Sequence, residues 1–299
     1  MFDLTPRLDC AGRRLLLDRP RVMGIVNVTP DSFSDGGRHD TVEAAVAYGL
    51  RLAAEGADLL DVGGESTRPG ADEVSVEDEL ARVLPVIERL ARETSLPISV
   101  DTSKPEVMRA AVAAGAGMIN DVYALRRDGA LETAAELGVP VVLMHMQGEP
   151  GSMQQTPAYD DVVADVHRFL AERLFACEMA GLLKKNLVVD PGFGFGKTLD
   201  HNLRLLRQLS RFADLGVPVL AGLSRKRSLG DLTGRGVDER VFASVAAAVL
   251  AADQGARLIR VHDVAATVDA LKVWSAVNAQ PAWVAGPAKA AAPKWPDDD

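Results

Sequence analysis

The 299-residue chain has only two cysteines, Cys10 and Cys177. That number excludes a disulfide framework and leaves no Cys-based zinc pattern. Cys177 falls in the helical stretch RFLAERLFACEMAG, where a buried thiol is the ordinary outcome. Positive charge is also in deficit: the net charge is -9, which argues against bulk attraction to nucleic acid or an anionic membrane. A local basic pocket for phosphate is still compatible with it. No apolar run approaches the roughly 18 residues needed to span a bilayer. The opening MFDLTPRLDCAGRR lacks the apolar core of a signal peptide. These absences imply a reduced, cytoplasmic protein. The rest is ordinary for a globular domain, with 47% hydrophobic, 25% charged and 5% aromatic residues.

What is present is a repeated short apolar run that ends on a polar side chain. VMGIVN stops at Asn27, ADLLD at Asp61 and PISVD at Asp101. GMIND stops at Asn120 and Asp121, PVVLMH at His145 and NLVVD at Asp190. PVLAGLSRK reaches Lys226, and RLIRVH reaches His262. Continuous Val/Ile/Leu runs are the mark of strands buried on both faces. Helical patterns separate most of them: 41–55, 77–93, 105–114, 128–137, 160–180, 201–209, 239–252 and 264–277. Asp40 is placed to cap the first, Pro105 suits a first turn, and Gly115, Gly138 and Gly181 suit helix ends. Alternation of strand and helix predicts parallel βαβ units. Eight of them predict an α/β fold of the closed (β/α)₈ TIM-barrel type, with an open doubly wound sheet as the rival architecture. Residues 1–20 read as a preamble with a short hairpin, 21–278 as the barrel, and 279–299, rich in Pro, Ala and Lys, as a mobile tail.

Parallel strands in a barrel bring their polar ends to one rim, where such folds place their active sites. Three connections on that rim are long: Thr29–Asp40 (loop 1), Gly63–Ser75 (loop 2) and Met146–Tyr159 (loop 5). Long loops in compact domains usually serve binding. DPGFGFGKT, residues 190–198, is not a P-loop, because Pro191 occupies the place of the required glycine. Leu199 breaks the dinucleotide spacing as well. A flexible loop letting backbone approach a flat ligand fits better. A lone histidine is more often structural than functional. His39, His167 and His201 take that reading, and His145 lies at a strand end with no chemical role assigned.

MGIVNVTPDSFSDGG (23–37) and DLLDVGGESTRPG (58–70) are far more specific than any turn requires. With SVDTSKPEV, GMINDV, VVLMHMQG, DPGFGFGKT, GLSRKRSLG and RVHDVAAT, all in order over about residues 21–277, they resemble the dihydropteroate synthase family. That resemblance implies a (β/α)₈ barrel that condenses 6-hydroxymethyl-7,8-dihydropterin pyrophosphate with 4-aminobenzoate, releasing pyrophosphate. It implies pterin ligands at Asp101, Asn120, Asp190, Lys226 and Arg260, and a pyrophosphate set at Asn27, Thr67, Arg68, Arg260 and His262. It further implies an aminobenzoate slot formed by Phe33, Ser34, Pro69, Lys226 and Arg227. The implied catalytic set is Asp35, Arg68, Lys226, Arg260 and His262. Mg²⁺ is expected, with Asn27 its protein ligand, along with a homodimer, and the family is the target of sulfonamides.

The chemistry is consistent with these residue types. A carboxylate accepts two parallel hydrogen bonds from an aminopyrimidinone edge, and an amide both gives and takes. An aromatic amine is unprotonated at neutral pH, so no strong general base is needed and no Ser-His-Asp or Cys-His set is visible. Arg227 and Ser228 depart from the family, which more often has a small hydroxyl residue and then a bulky apolar one. The edge of the aminobenzoate slot is the part in question. A related pterin-binding methyltransferase domain and a non-catalytic pterin-binding paralogue are the competing readings.

Overall fold

The structure is a computed structural model that describes residues 6–29, 38–66, 73–148, 153 and 157–279. Two short strands, β1 (Arg7–Cys10) and β2 (Arg13–Leu16), form an antiparallel hairpin, the predicted preamble. Eight parallel strands follow: β3 (Arg21–Asn27), β4 (Leu59–Gly63), β5 (Ile98–Asp101), β6 (Met118–Asp121), β7 (Val141–Met144), β8 (Leu187–Asp190), β9 (Leu220–Ala221) and β10 (Leu258–Val261). Their order runs β8-β7-β6-β5-β4-β3-β10-β9. A parallel bridge between Val189 and Val219 joins the two ends. The sheet is therefore a closed barrel, and the open-sheet alternative is excluded.

Helices α1 (Arg38–Ala54), α2 (Val76–Glu93), α3 (Pro105–Ala113), α4 (Ala130–Leu137), α5 (Val162–Met179) and α6 (Leu199–Arg207) follow β3 to β8 in turn. The connection after β9 carries two, α7 (Arg227–Thr233) and α8 (Val241–Asp253), and α9 (Val264–Asn278) follows β10. Most predicted bounds hold to within two residues. Two local readings need correction. Helix α1 starts at Arg38, so Asp40 lies inside its first turn and not at the N-cap position. The seven-residue α7 was not foreseen, because RSLGDLT is too short to show an apolar period.

Alternate residues of a strand share a face, and the barrel uses that rule in layers. The deepest inward layer joins Met23, Leu59, Met118, Val142, Val188, Leu220 and Leu258 with Leu8, Cys10, Leu15 and Leu17 of the hairpin. The hairpin thus plugs the bottom of the barrel with apolar side chains. Gly117 makes this possible, since a Cβ there would collide with the backbone of Cys10. The outward positions, among them Val22, Val62, Val100, Ile119, Leu143 and Val189, pack against the helices in one continuous core. Apolar burial at the bottom and around the outside leaves the upper inward positions free to be polar. The predicted mobile tail from residue 280 onward, like parts of the three long loops, lies outside the described residues.

Candidate active site

Strand register decides which side chains meet. Ile25 pairs with Asp61 and Asn27 with Gly63. Asp61 pairs with Ser99 and Gly63 with Asp101. Asp101 pairs with Asn120, and Met144 with Asp190. Alternation along β10 puts Leu258, Arg260 and His262 on the inward face. The polar ends therefore gather at one mouth. Asp61 departs from its expected place. Strand β4 continues to Gly63, so Asp61 lies one layer below the rim, fully buried.

That depth makes Asp61 the anchor of the mouth. Its Oδ2 accepts from Arg260 Nε at 2.6 Å and from Asn120 Nδ2 at 3.0 Å. The other side of the guanidinium donates to Asp101 Oδ2 at 2.7 Å. One carboxylate below thus orients an amide and an arginine above. It also fixes the amide's direction, since a nitrogen must face a carboxylate, leaving Asn120 Oδ1 as a free-facing acceptor. Across the barrel, Asp190 Oδ1 takes the backbone N–H of Gly192 at 2.7 Å. A Cβ on Gly222 would lie 3.9 Å from Arg260 Cβ and 4.0 Å from Asp190 Oδ2, so the missing side chain there leaves room between the two.

Burial governs the protonation of this set. Burial raises Asp101 to about 7 and outweighs the opposing pull of Arg260. Burial raises Asp190 as well, against its Gly192 hydrogen bond and the cations nearby. Lys226 is lowered to about 8, first by burial and then by Arg260. His262 falls to about 3, first by burial and then by Arg260 and Arg225, so its ring is neutral at neutral pH.

Lys226 stands at the N-terminal end of α7 with its ammonium 4.1 Å above the centre of the Phe195 ring. Phe195 belongs to the glycine-rich loop after β8, so the loop expected to approach a flat ligand supplies an aromatic wall. The loop is pinned by Lys197, which donates to the carbonyls of Gly192 and Phe195 at 2.9 Å each and lies 2.9 Å from His145 Nδ1. Burial lowers Lys197 to about 7. His145 is therefore a partner of a buried lysine and forms part of the loop's support. Lys197 was singled out in the sequence only as the end of a failed P-loop motif.

The turn bearing Lys226 is strained. Arg225 has φ 56°, a conformation that costs a non-glycine residue of order 1 kcal/mol. Its guanidinium offsets this by gripping Asp263 through two bonds, 3.0 and 2.6 Å. Its N–H is taken by Ser244 Oγ at 2.9 Å, and its carbonyl accepts from Arg240 at 3.1 Å. Sequence reasoning assigned Asp61 no role of its own and did not mark Ser224, Arg225 or Asp263. Asp61 was visible as a polar end of an apolar run, but the others carry no signal outside the fold.

The predicted Asn27, Asp101, Asn120, Asp190, Lys226, Arg260 and His262 thus meet. Arg227 does not join them. Its side chain is 90% exposed and lies 3.8 Å from Asp231. Phe33, Ser34, Asp35, Thr67, Arg68 and Pro69 lie outside the described residues. The described residues hold no group of three or more His, Cys, Asp or Glu that could cage a metal. Asn27 at the end of β3 offers one amide oxygen. A single neutral donor fits Mg²⁺ in the mode that keeps its waters and binds chiefly through phosphate oxygens. A separate cleft of about 970 Å³ lies beside the mouth, lined by Glu73, Ser75, Lys104, Tyr123, Arg126 and Arg127 among others, and it holds none of the gathered set.

Comparison with known proteins identifies the family. The family described as pterin binding enzyme matches residues 23–262. The dihydropteroate synthase of Escherichia coli (strain K12) is 54% identical over 267 residues, 89% of this chain and 95% of that protein. The dihydropteroate synthase of Xanthomonas albilineans solved with 4-aminobenzoic acid is 72% identical, with a TM-score of 0.89 over 93% of this chain and 100% of that one. A structure of the Xanthomonas albilineans enzyme in complex with 7,8-dihydropteroate gives 68% identity and a TM-score of 0.85, covering 92% and 100%.

Proposed function

The chain belongs to the pterin binding enzyme family, among the dihydropteroate synthases, and on that premise we propose how its residues divide the labour of the reaction. The enzyme joins a dihydropterin methylene to the amine of 4-aminobenzoate and releases pyrophosphate. The observation that carries the assignment of roles is the shared anchor: Asp61 orients Asn120 and Arg260 together. The heterocycle side and the diphosphate side of the mouth therefore rest on one carboxylate.

Asp101, Asn120 and Asp190 face the aminopyrimidinone edge, and Lys226 donates to the pterin carbonyl or ring nitrogen. Arg260 lies between that edge and the diphosphate, which His262 and Asn27 also hold. Mg²⁺, held by Asn27 and the substrate phosphates, would neutralise charge on the leaving group. The C–O bond to pyrophosphate breaks first, leaving positive charge spread over the methylene and the dihydropterin ring. Asp101 and Asp190 favour that cation in their ionised form. The amine nitrogen then forms the C–N bond and gives its proton to the pyrophosphate or to water. Phe33, Ser34 and Pro69 would frame the aminobenzoate, with Asp35, Thr67 and Arg68 closing from loops 1 and 2. Lys226 borders that slot, and the exposed Arg227 could fold over its outer edge to meet the aminobenzoate carboxylate.

The enzyme works as a homodimer in the cytoplasm in this reading. Phe242 and Leu250 of α8 and Val273 and Val277 of α9 are exposed apolar side chains on neighbouring helices, the expected interface. No helix among the described residues is long and apolar enough to cross a membrane. The test is condensation itself, with purified protein, the pterin pyrophosphate, Mg²⁺ and labelled 4-aminobenzoate. Dihydropteroate should form with the wild type and fall at least a hundredfold with Asp190→Asn, about 3 kcal/mol of lost transition-state stabilisation. Full activity in Asp190→Asn would overturn the assignment.

A further inference from the structure

Two adjacent strand ends grip each other residue for residue. Ser224 and Arg225 follow β9, while His262 and Asp263 follow β10. Ser224 Oγ lies 3.1 Å from the backbone nitrogen of His262 and 3.1 Å from its Nδ1. Arg225 holds the neighbouring Asp263 by both carboxylate oxygens. Asp263 occupies the N-cap position of α9, where an aspartate ordinarily bonds its own helix, yet it makes no such bond. Its carboxylate is committed to the clasp.

The hydroxyl's proton inventory then determines the state of the imidazole. The N–H of His262 donates to Ser224 Oγ, which uses one lone pair. The hydroxyl carries a single hydrogen, and among the described residues its other partner is Nδ1 of His262. An Nδ1–H donating to the second lone pair would leave the hydroxyl hydrogen with no partner among the described residues, whereas Nδ1 as the acceptor satisfies both groups, and a neutral ring then bears its proton on Nε2. We propose that Ser224 is a positioning residue that fixes His262 as the Nε2–H tautomer, turning a neutral donor toward the leaving diphosphate, and that the Arg225–Asp263 pair holds Ser224 in register. This deepens the diphosphate role given to His262 above and rests on it. A neutral N–H adds a directed hydrogen bond without adding a third cation beside Arg260 and Lys226. The strained φ of Arg225 is part of the device, since it turns Ser224 and Lys226 to opposite uses within three residues.

The test is ¹⁵N NMR of protein labelled at histidine, with His262→Gln identifying the signal among five histidines. The wild type should show His262 Nδ1 as an unprotonated acceptor and Nε2 as protonated. A proton on Nδ1, or a charged ring at neutral pH, overturns the proposal without need of any variant. Ser224→Ala should mix the two tautomers and raise KM for the pterin pyrophosphate about fivefold, the loss of one hydrogen bond. Binding of the pterin without its diphosphate should be unchanged. Ser224→Thr, which keeps the hydroxyl, should restore the single tautomer. An unchanged tautomer in a folded Ser224→Ala protein also overturns it. Adding inorganic pyrophosphate to the wild type separates this inference from the reading beneath it. If the Nε2 signal ignores pyrophosphate, the diphosphate site is wrong although the tautomer assignment stands.

Discussion

Asp61→Asn removes one charge from the floor of the mouth with almost no change of volume, and opposing terms set its effect. The carboxylate receives a charge-assisted bond from Arg260 at 2.6 Å and a bond from Asn120 at 3.0 Å. Hydrogen bonds to charged groups contribute about 1.5–3 kcal/mol and neutral ones about 1 kcal/mol. An asparagine keeps one acceptor, so the loss is roughly 1–2 kcal/mol. Against this, Asp61 is fully buried, and holding an ion there costs several kcal/mol. Arg260 also keeps Asp101. The folded state should therefore change by only about 1 kcal/mol in urea unfolding, whereas Asn120 and Arg260 lose their common guide. Pterin affinity by calorimetric titration should fall about tenfold, equivalent to 1.4 kcal/mol. A second readout follows from charge. Asp61 is one of the groups that raise Asp101, so its loss should lower Asp101 from about 7 and move the pH dependence of pterin binding to the acid side. Wild-type affinity with an unmoved pH profile would refute the shared-anchor reasoning.

Other perturbations test separate parts of the structure. Lys197→Met removes the donor to Gly192 and Phe195; Gly192 keeps the Phe195 N–H, but leaving the Phe195 carbonyl unpaired should cost about 2 kcal/mol in urea unfolding, with weakened pterin binding through Phe195. His262 has a depressed pKa in the fold, so it contributes stability that is present above its unfolded value of 6.5 and lost as pH falls toward about 3. His262→Gln should flatten the stability profile across that window, and an unchanged profile would show the ring is not held neutral. Gly192→Ala should abolish folding or cost more than about 4 kcal/mol, because φ is 70° and the new Cβ would collide with the carbonyl of His145. A folded Gly192→Ala protein of normal stability would contradict the loop geometry.

The barrel was legible because its strands are uninterrupted apolar runs of a kind found only where both faces are buried. Their polar ends told where the site would be, since parallel strands in a closed barrel share one rim. Asp61 shows the limit of that reading. In sequence it ends an apolar run like the others, but β4 continues two residues further and sinks it beneath the rim. Register between strands, which the sequence does not display, assigned it to Asn120 and Arg260. Arg225 and Asp263 stand 38 positions apart, and nothing local marks them as partners. The short α7 escaped because a seven-residue helix spans barely two turns.

The arrangement at the mouth can be seen directly by determining the crystal structure with the pterin pyrophosphate bound. The heterocycle should bond Asp101, Asn120 Oδ1 and Asp190, with the diphosphate on Arg260, Asn27 and Nε2 of His262. A heterocycle seated in the neighbouring cleft of Lys104, Tyr123 and Arg127, or a diphosphate out of reach of His262, would contradict the account.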